Sequence, residues 1–394
     1  MPFSVARAQP SDTIRIGVLT DLSGPYRDVT GPTSVACARL AVEEFTQAHP
    51  DIKVELIAAD HMNKADVGVS IVREWFDRGD VDVVTDIGNS AVAIALSAVC
   101  SEKDKIQLNT AAGSSELTGK RCSANLIHWS YDTWCFAHAI GDALTRAGGS
   151  TWYFVTADYA FGHAIQTDTT RFIEAAGGKV VGASAYPFPG TTDFSSYLLA
   201  AQSSGAKVLA FANAGDDFIN CVKQANEFGV TKGGVKVAGI INSITVVVAA
   251  GLPVMQGLTV SETFYWDLNE RTRAFMARVR PRLPAGVFPT YTHAGAYAAV
   301  SHYLKVVREM GVAKAKTSGR ETIAAMKAMP TDDDCFGKGL IRADGRKIHP
   351  AYLFEVKTPA ESRYPGDVYR LTSTIPIDKA FRPMNEGGCS LVPA

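Results

Sequence analysis

The residues of this sequence best suited to chemistry are small, polar and mostly uncharged. Ser23-Gly24 follow the run IRIGVL, Gly88-Asn89-Ser90 follow VDVVTDI, and Asn109-Thr110-Ala111-Ala112-Gly113-Ser114 follow the run begun by Ile106. Further along, Asp158-Tyr159-Ala160-Phe161-Gly162 follow TWYFVT, Asn213-Ala214-Gly215-Asp216-Asp217 follow KVLAFA, and Asn242-Ser243 follow VKVAGII. Hydroxyls, amides and free backbone N–H groups can hold an anion such as a carboxylate. Aromatic rings can wall a small apolar ligand. These are the means of binding rather than of reaction.

Reactive signatures are missing from the same stretches. The loop SGPYRDVTGP is neither a dinucleotide-binding G-x-G-x-x-G nor a Walker A loop, for it has no phosphate-reaching lysine. No G-x-S-x-G elbow occurs. The eight histidines show no metal-binding spacing, and His128 and His138 read as core or surface residues flanking a helix start. Asp332-Asp333-Asp334 lack the alternating layout of a calcium loop and read as a solvated turn. The sequence gives no indication of an enzyme, a metal or a cofactor.

The elements that must position these loops alternate. IRIGVL, VELIAA, VDVVTDI and IQLNTAA read as strands, separated by helices over 33–48, DVGVSIVREWF and AVAIALSAV. Ala38, Ala41, Val42 and Phe45 recur at the spacing of one helix face. The series restarts with the helix HWSYDTWCFAHAIGDALTRAGG and the strands TWYFVTAD, KVVGASAYPF, KVLAFANAG and VKVAGII. Apolar, non-alternating strands between helices predict parallel sheets covered on both faces. The reading is two α/β lobes, each built on its own parallel sheet. The last third has too few strands for a third lobe, and its pieces are expected to return to the first two. In such sheets ligands bind outside the strand carboxyl ends, where the polar loops fall. Ser90 opens a helix there as either an N-cap or a ligand contact. Ala111–Ser114 either form a plain turn or let a ligand approach backbone. Tyr159 and Phe161 either wall a ligand or anchor the helix behind them. Phe264-Tyr265-Trp266 lie at an expected crossover, packing the lobes together or lining a cleft.

Composition bounds the rest. The chain has 394 residues, a net charge of -1 and 46% hydrophobic residues, enough for two or three cores. Near-zero charge offers no footprint for nucleic acid or an anionic membrane. No apolar run approaches the roughly 20 residues of a membrane span. Residues 1–12 read as the remnant of an export signal, with Ala6-Arg7-Ala8 as a small-x-small cleavage form. The seven cysteines include no C-x-x-C pair. Cys37, Cys100, Cys135 and Cys221 read as buried apolar residues. Cys122 and Cys389 sit in polar contexts, where an oxidising compartment would permit a disulfide, although spacing does not fix the connectivity.

LSGPY, GNSAVAIALSA, NTAAGSSELTG, TADYAFG and NAGDDFINCVKQANEFG resemble, in order and spacing, segments of the branched-chain amino-acid-binding family of bacterial ABC-transporter substrate-binding proteins. The resemblance runs from Ile14 to Ser373 and includes the general appearance of aromatic-acid uptake proteins. It implies a type I periplasmic binding fold, two lobes joined by three crossovers that close on a ligand. Lobe one would comprise 13–130 plus 266–343, lobe two 131–265 plus 344–375, and 376–394 a tail. It further implies that Ser90 and the backbone around Ala111, Ala112 and Gly113 hold a carboxylate, with Ser23 and Tyr26 on the cleft rim. Phe161 would cover the ligand. The full candidate set is Ser23, Tyr26, Asn89, Ser90, Ala111, Ala112, Gly113, Tyr159, Phe161, Asn213, Asp216, Asn242 and Phe264.

One position departs from that family. Amino-acid binders carry an acidic residue after the strand read here as VKVAGII, where it pairs the ligand ammonium, and this chain has Asn242. A buried ammonium without a counter-charge is costly. Asp216 could substitute, or serve as an N-cap. The departure favours an aromatic or hydrophobic carboxylate over a branched-chain amino acid. The resemblance implies an exported, periplasmic monomer that partners a membrane permease and its ATPases, with no cofactor. Two other readings stay open: a branched-chain amino-acid binder, and a cytoplasmic amide or organic-acid sensor on the same fold.

Overall fold

The computed structural model describes residues 12–393, side chains 231 and 232 excepted. The expected signal remnant lies almost wholly outside the described residues. Strands β1 (Thr13–Thr20), β2 (Lys53–Asp60), β3 (Val83–Asp86), β4 (Ile106–Asn109) and β5 (Leu126–His128) form a parallel sheet in the order β2-β1-β3-β4-β5. Helices α1 (Gly31–Ala48), α2 (Ala65–Asp77) and α3 (Ser90–Lys103) make its crossovers. The second series is α4 (Thr133–Arg146), β6 (Thr151–Ala157), α5 (Ala160–Ala175), β7 (Lys179–Tyr186), α6 (Ser195–Ser203), β8 (Val208–Ala212), α7 (Gly215–Glu227) and β9 (Lys236–Gly239). Its sheet is also parallel, ordered β7-β6-β8-β9. Central strands β3, β4 and β8 are buried throughout, as strands covered on both faces must be, whereas edge strands β2 and β7 alternate toward solvent.

The last third adds α8 (Ile244–Ala250), α9 (Leu252–Met255), β10 (Thr259–Glu262), α10 (Glu270–Val279), α11 (Tyr291–Met310), α12 (Val312–Thr317), α13 (Gly319–Ala328), β11 (Thr331–Asp333), β12 (Gly337–Ile341), β13 (Lys347–Ile348), β14 (Ala351–Val356) and β15 (Tyr369–Ile375). As expected, these pieces rejoin the two lobes. Helix α11 packs on α1 and β3, while β10 approaches β9 and α4. The sequence also reads strands at AYLFEV and DVYRLTS, and these are β14 and β15, but it shows neither their antiparallel pairing with β10 nor the small sheet β11-β12-β13. The expected strand over GLTVSETFYW is only Thr259–Glu262, and the helix expected from His128 begins at Thr133. The preceding Leu126–His128 is the edge strand β5, and Asp132 caps α4 by accepting the Cys135 N–H at 2.8 Å. Only three residues pair in β5, too few to show a period.

The chain passes between the lobes three times, and a buried cation ties two of those passages. Arg346, wholly buried, donates to the carbonyls of Trp129, Tyr131 and Lys347 and lies 3.5 Å from Asp132. Gly295 of α11 has no room for a Cβ, which would fall 1.9 Å from Ser130 Oγ, so the helix lies directly on the first crossover. Cys122 and Cys389 form a disulfide that anchors the C-terminal tail to lobe one, and the other five cysteines are buried and free. Among the described residues no helix is long and apolar enough to cross a membrane.

Candidate functional site

At the carboxyl ends of both parallel sheets the lobes meet around a cavity of about 30 Å3. On the lobe-one side its walls are built by backbone forced into unusual conformations. Asp86 and Ile87 close β3 with φ of 74° and 62°. A β-branched residue rarely adopts such an angle, and strain of this kind clusters at functional sites. The turn is over-determined. Ile87 N–H donates to Leu19 O, Asp86 O accepts from the N–H groups of Thr110 and Ala111, and the Asp86 carboxyl accepts from Ser34 and Thr110. Burial pushes that carboxyl up to about 7 despite these donors. The turn delivers Gly88 and Ser90 to the cavity wall beside Ala111, Ala112 and Gly113.

This wall is ready to accept an anion. Asn89 is the N-cap of α3, its side chain accepting from Ala91 and Val92, so Ser90 is released from that task. Ser90 Oγ accepts the Ser114 N–H at 3.2 Å, which leaves its own proton to donate. The carbonyls of Ala111, Ala112 and Gly113 are all engaged. Tyr131 donates to the first, Asn109 and His128 to the second, and Thr133 N–H to the third. Burial keeps His128 neutral by lowering its pKa well below the ordinary value. Among the described residues the Ala112 and Gly113 N–H groups have no protein acceptor. A hydroxyl, two N–H groups and the amino end of α3 therefore converge where a carboxylate would be held.

Lobe two supplies a largely apolar cover. Tyr159, at the start of α5, meets Tyr26 of lobe one hydroxyl to hydroxyl at 2.6 Å. Phe188 stacks on Tyr159 at 4.4 Å and on Tyr26 at 5.3 Å, so three rings bridge the lobes. Phe161 lies over Gly113, where a Cβ would come within 2.8 Å of its ring. Asp216 N–H donates to Pro25 O, and Ser115 of lobe one donates to Asp168 of α5. These contacts describe a closed pair of lobes. Ile241, Asn242, Ser243 and Val246 complete the cover. No Asp, Glu, Lys, Arg or His lines the cavity among the described residues. The buried carboxyl of Glu262 is outside the lining. It accepts from Tyr369, and burial drives its pKa well upward.

Of the expected site residues, Tyr26, Ser90, Ala111, Ala112, Gly113, Tyr159, Phe161 and Asn242 come together here. Five are placed elsewhere. Ser23 donates to Asp60 at 2.5 Å, while Asp21 organises its loop by accepting from the N–H groups of Ser23, Gly24 and Tyr26. Asn89 is consumed as the α3 cap. Asn213 turns into the lobe-two core toward Cys221 Sγ. Phe264 packs edge-on against Phe275 in the core. Asp216 is exposed in the first turn of α7, neither a cap nor a cavity charge. Sequence reasoning missed Tyr131, Tyr291 and Thr292, which come from the first crossover and the start of α11. The capping signal of Asp132 could have freed Tyr131 from the helix to which it was assigned.

A family model described as periplasmic binding protein matches residues 13–362. The chain belongs to that family. A crystal structure of a periplasmic binding protein from Burkholderia mallei is 40% identical, with a TM-score of 0.92 over 96% of this chain and 99% of that one. A branched chain amino acid ABC transporter periplasmic ligand-binding protein from Burkholderia xenovorans is 36% identical, with a TM-score of 0.82 and the same coverage of both chains. At 20% identity, a solute binding protein of an ABC transporter from R. palustris, solved in complex with 4-hydroxybenzoate, shares the fold with a TM-score of 0.80 over 94% of this chain and 98% of that one. No protein with curated function matches the chain. As a periplasmic binding protein the chain is a two-lobed ligand carrier whose family works outside the cytoplasm.

Proposed function

We propose that this periplasmic binding protein is the exported, monomeric substrate-binding component of an ABC importer. It captures an aromatic or other apolar organic acid by closing its lobes and hands it to a membrane permease without chemical change. The reading divides the chain at the expected bounds, lobe one as 13–130 plus 266–343 and lobe two as 131–265 plus 344–375.

The observation that carries the proposal is the charge of the cavity lining. Ser90, Ala112 and Gly113 offer donors for one carboxylate, and among the described residues no acidic side chain lines the wall to meet an ammonium. Burying an unpaired ammonium would cost several kcal/mol, about as much as a good ligand gains. Rings from Tyr26, Tyr131, Tyr159, Phe161 and Tyr291 surround the remaining space. Solved neighbours of the same fold carry benzoate and 4-hydroxybenzoate, which adds support. A branched-chain amino acid is the second reading, favoured by the description of the 36% identical relative. Calorimetric titration of the purified protein with benzoate-class acids and with leucine and valine separates the two. Binding of acids but not of amino acids is expected, and tight binding of leucine would refute the neutral-cavity argument.

A further inference from the structure

Among the described residues lining the cavity, Tyr291 has no partner for its hydroxyl, and Asn242 is the one whose fully buried polar atoms all lack a partner. Asn242 is 2% exposed, and both its Oδ1 and its Nδ2 lack a hydrogen-bond partner. No other lining residue is in that position among the described residues. Its carboxamide is held in place by shape. It sits over Gly239, where a Cβ would come within 2.4 Å of Nδ2 and of the Phe218 ring. Turning the amide by 180° exchanges its two atoms and changes nothing, since neither is paired. Buried polar groups are nearly always satisfied, and an orphan pair in a closed ligand cavity marks the place of a missing partner.

The chemistry of the partner follows from the amide itself. A primary carboxamide presents a donor and an acceptor side by side. An ammonium has only donors and would leave Nδ2 unpaired. A carboxylate has only acceptors and would leave Oδ1 unpaired. A hydroxyl or a second carboxamide offers both and satisfies the pair. We infer that the ligand carries, besides the carboxylate held by lobe one, an uncharged donor–acceptor group that Asn242 reads from lobe two. The ligand class is thereby narrowed to hydroxylated or carbamoylated aromatic acids. This inference rests on the carboxylate reading proposed above and makes Asn242 a specificity-determining residue.

The same wall explains why closure would select. In the open state water can solvate both amide atoms, and closing the lobes strips it away. An unsubstituted acid closes the cavity over two unpaired atoms, and a site built to hydrogen-bond a substituent rejects the analogue lacking it.

The test is calorimetric titration of the full chain with benzoate, 3- and 4-hydroxybenzoate and 4-carbamoylbenzoate, repeated on Asn242→Val and Asn242→Ala. The native protein is expected to prefer a hydroxyl- or carbamoyl-bearing acid over benzoate by at least about tenfold. In both variants that preference is expected to fall to within about threefold, because benzoate no longer closes the cavity over two unpaired atoms and binds more tightly. The two substituents, tested apart, show which donor–acceptor group is preferred. Equal binding of benzoate and every substituted acid by the native chain would overturn the inference, as would a preference that survives in both variants. Failure of every acid, substituted and unsubstituted, on the native chain and on both variants would instead remove the carboxylate reading beneath it.

Discussion

The Tyr26–Tyr159 contact is the sharpest available test of closure, because the two phenols belong to different lobes and meet at 2.6 Å. In an open protein both hydroxyls can reach water. In the closed one Tyr26 is 3% exposed, while Tyr159 is only partly buried. Tyr159→Phe leaves the Tyr26 hydroxyl buried without its partner, which costs the closed state about 1–3 kcal/mol. That is roughly a 5- to 150-fold loss of affinity. Tyr26→Phe leaves the Tyr159 hydroxyl without its partner in the same contact, and a loss in the same range is expected. The double variant removes both hydroxyls and keeps all three stacked rings. Replacing both partners with apolar groups of the same shape is nearly neutral, so its affinity should return to within about fivefold of native.

The expected signature is thus non-additive, with the double variant binding more tightly than Tyr159→Phe alone. The assay is a double-mutant cycle on Kd by calorimetry, with dissociation rates by stopped-flow, for whichever acid binds. The change should fall mainly in the dissociation rate, since the contact forms on closure. Thermal midpoints of the ligand-free variants should match the native one. Strict additivity, or no effect in Tyr159→Phe, would refute the closure argument. Lowered midpoints without ligand would assign the contact to folding instead.

Three further perturbations follow. Ser90→Ala should weaken carboxylate binding by about 1.5–3 kcal/mol, the range for a hydrogen bond to a charged group, and should also lower the melting temperature, since the buried Ser114 N–H loses its acceptor; an unchanged Kd in calorimetry would remove Ser90 from the anion site. Arg346→Met strips the cation that joins the carbonyls of Trp129, Tyr131 and Lys347 and leaves Asp132 buried. A loss of about 3–5 kcal/mol is expected in urea unfolding, and a loss under about 1 kcal/mol would show that the crossovers do not depend on it. Asp168 is raised from 3.8 to about 6 by burial, against the donors Thr133 and Ser115. Its folded pKa exceeds the unfolded one, so its contribution favours folding below pH 4 and is lost as pH rises from about 4 to 6. Asp168→Asn should remove up to about 3 kcal/mol of that decline, read as the native-minus-variant difference in stability across the window. A difference flat in pH would contradict the assignment.

How much of this was legible in the residues depended on how far each signal reached along the chain. Strand–helix alternation is local, and it placed both parallel sheets and most of their helices. The return of α11 to α1 and β3 followed from counting strands. The edge strand β5, the sheet β11-β12-β13 and the pairing of β10, β14 and β15 did not, because short pairings such as Leu340–Ile341 with Lys347–Ile348 are decided by tertiary contact. At the site, the polar residues after each strand looked alike in sequence, yet the fold divides them by what else demands their hydrogen bonds. Asn89 is claimed by the α3 N-terminus, Ser23 by Asp60 and Asn213 by the core near Cys221. Asn242 is claimed by nothing, and Ser90 keeps its proton because its neighbour took the cap.

That division is itself a functional criterion. A polar side chain after a strand belongs to the protein when a backbone N–H, a carboxylate or a core atom already engages it. It belongs to the ligand when closure buries it with its bonding capacity unspent. Under this criterion the cavity has two ends. Lobe one offers donors only, through Ser90, Ala112 and Gly113, and selects an anion. Lobe two offers a donor and an acceptor together, through Asn242, and selects a neutral polar group. Between them lie rings and small residues with no charge. A zwitterion fits the lobe-one end only, since its ammonium would displace the neutral group without supplying an acceptor to Nδ2. A plain aliphatic acid fits one end only. The arrangement is complete for a rigid, flat acid whose second polar group is uncharged and stands away from its carboxylate.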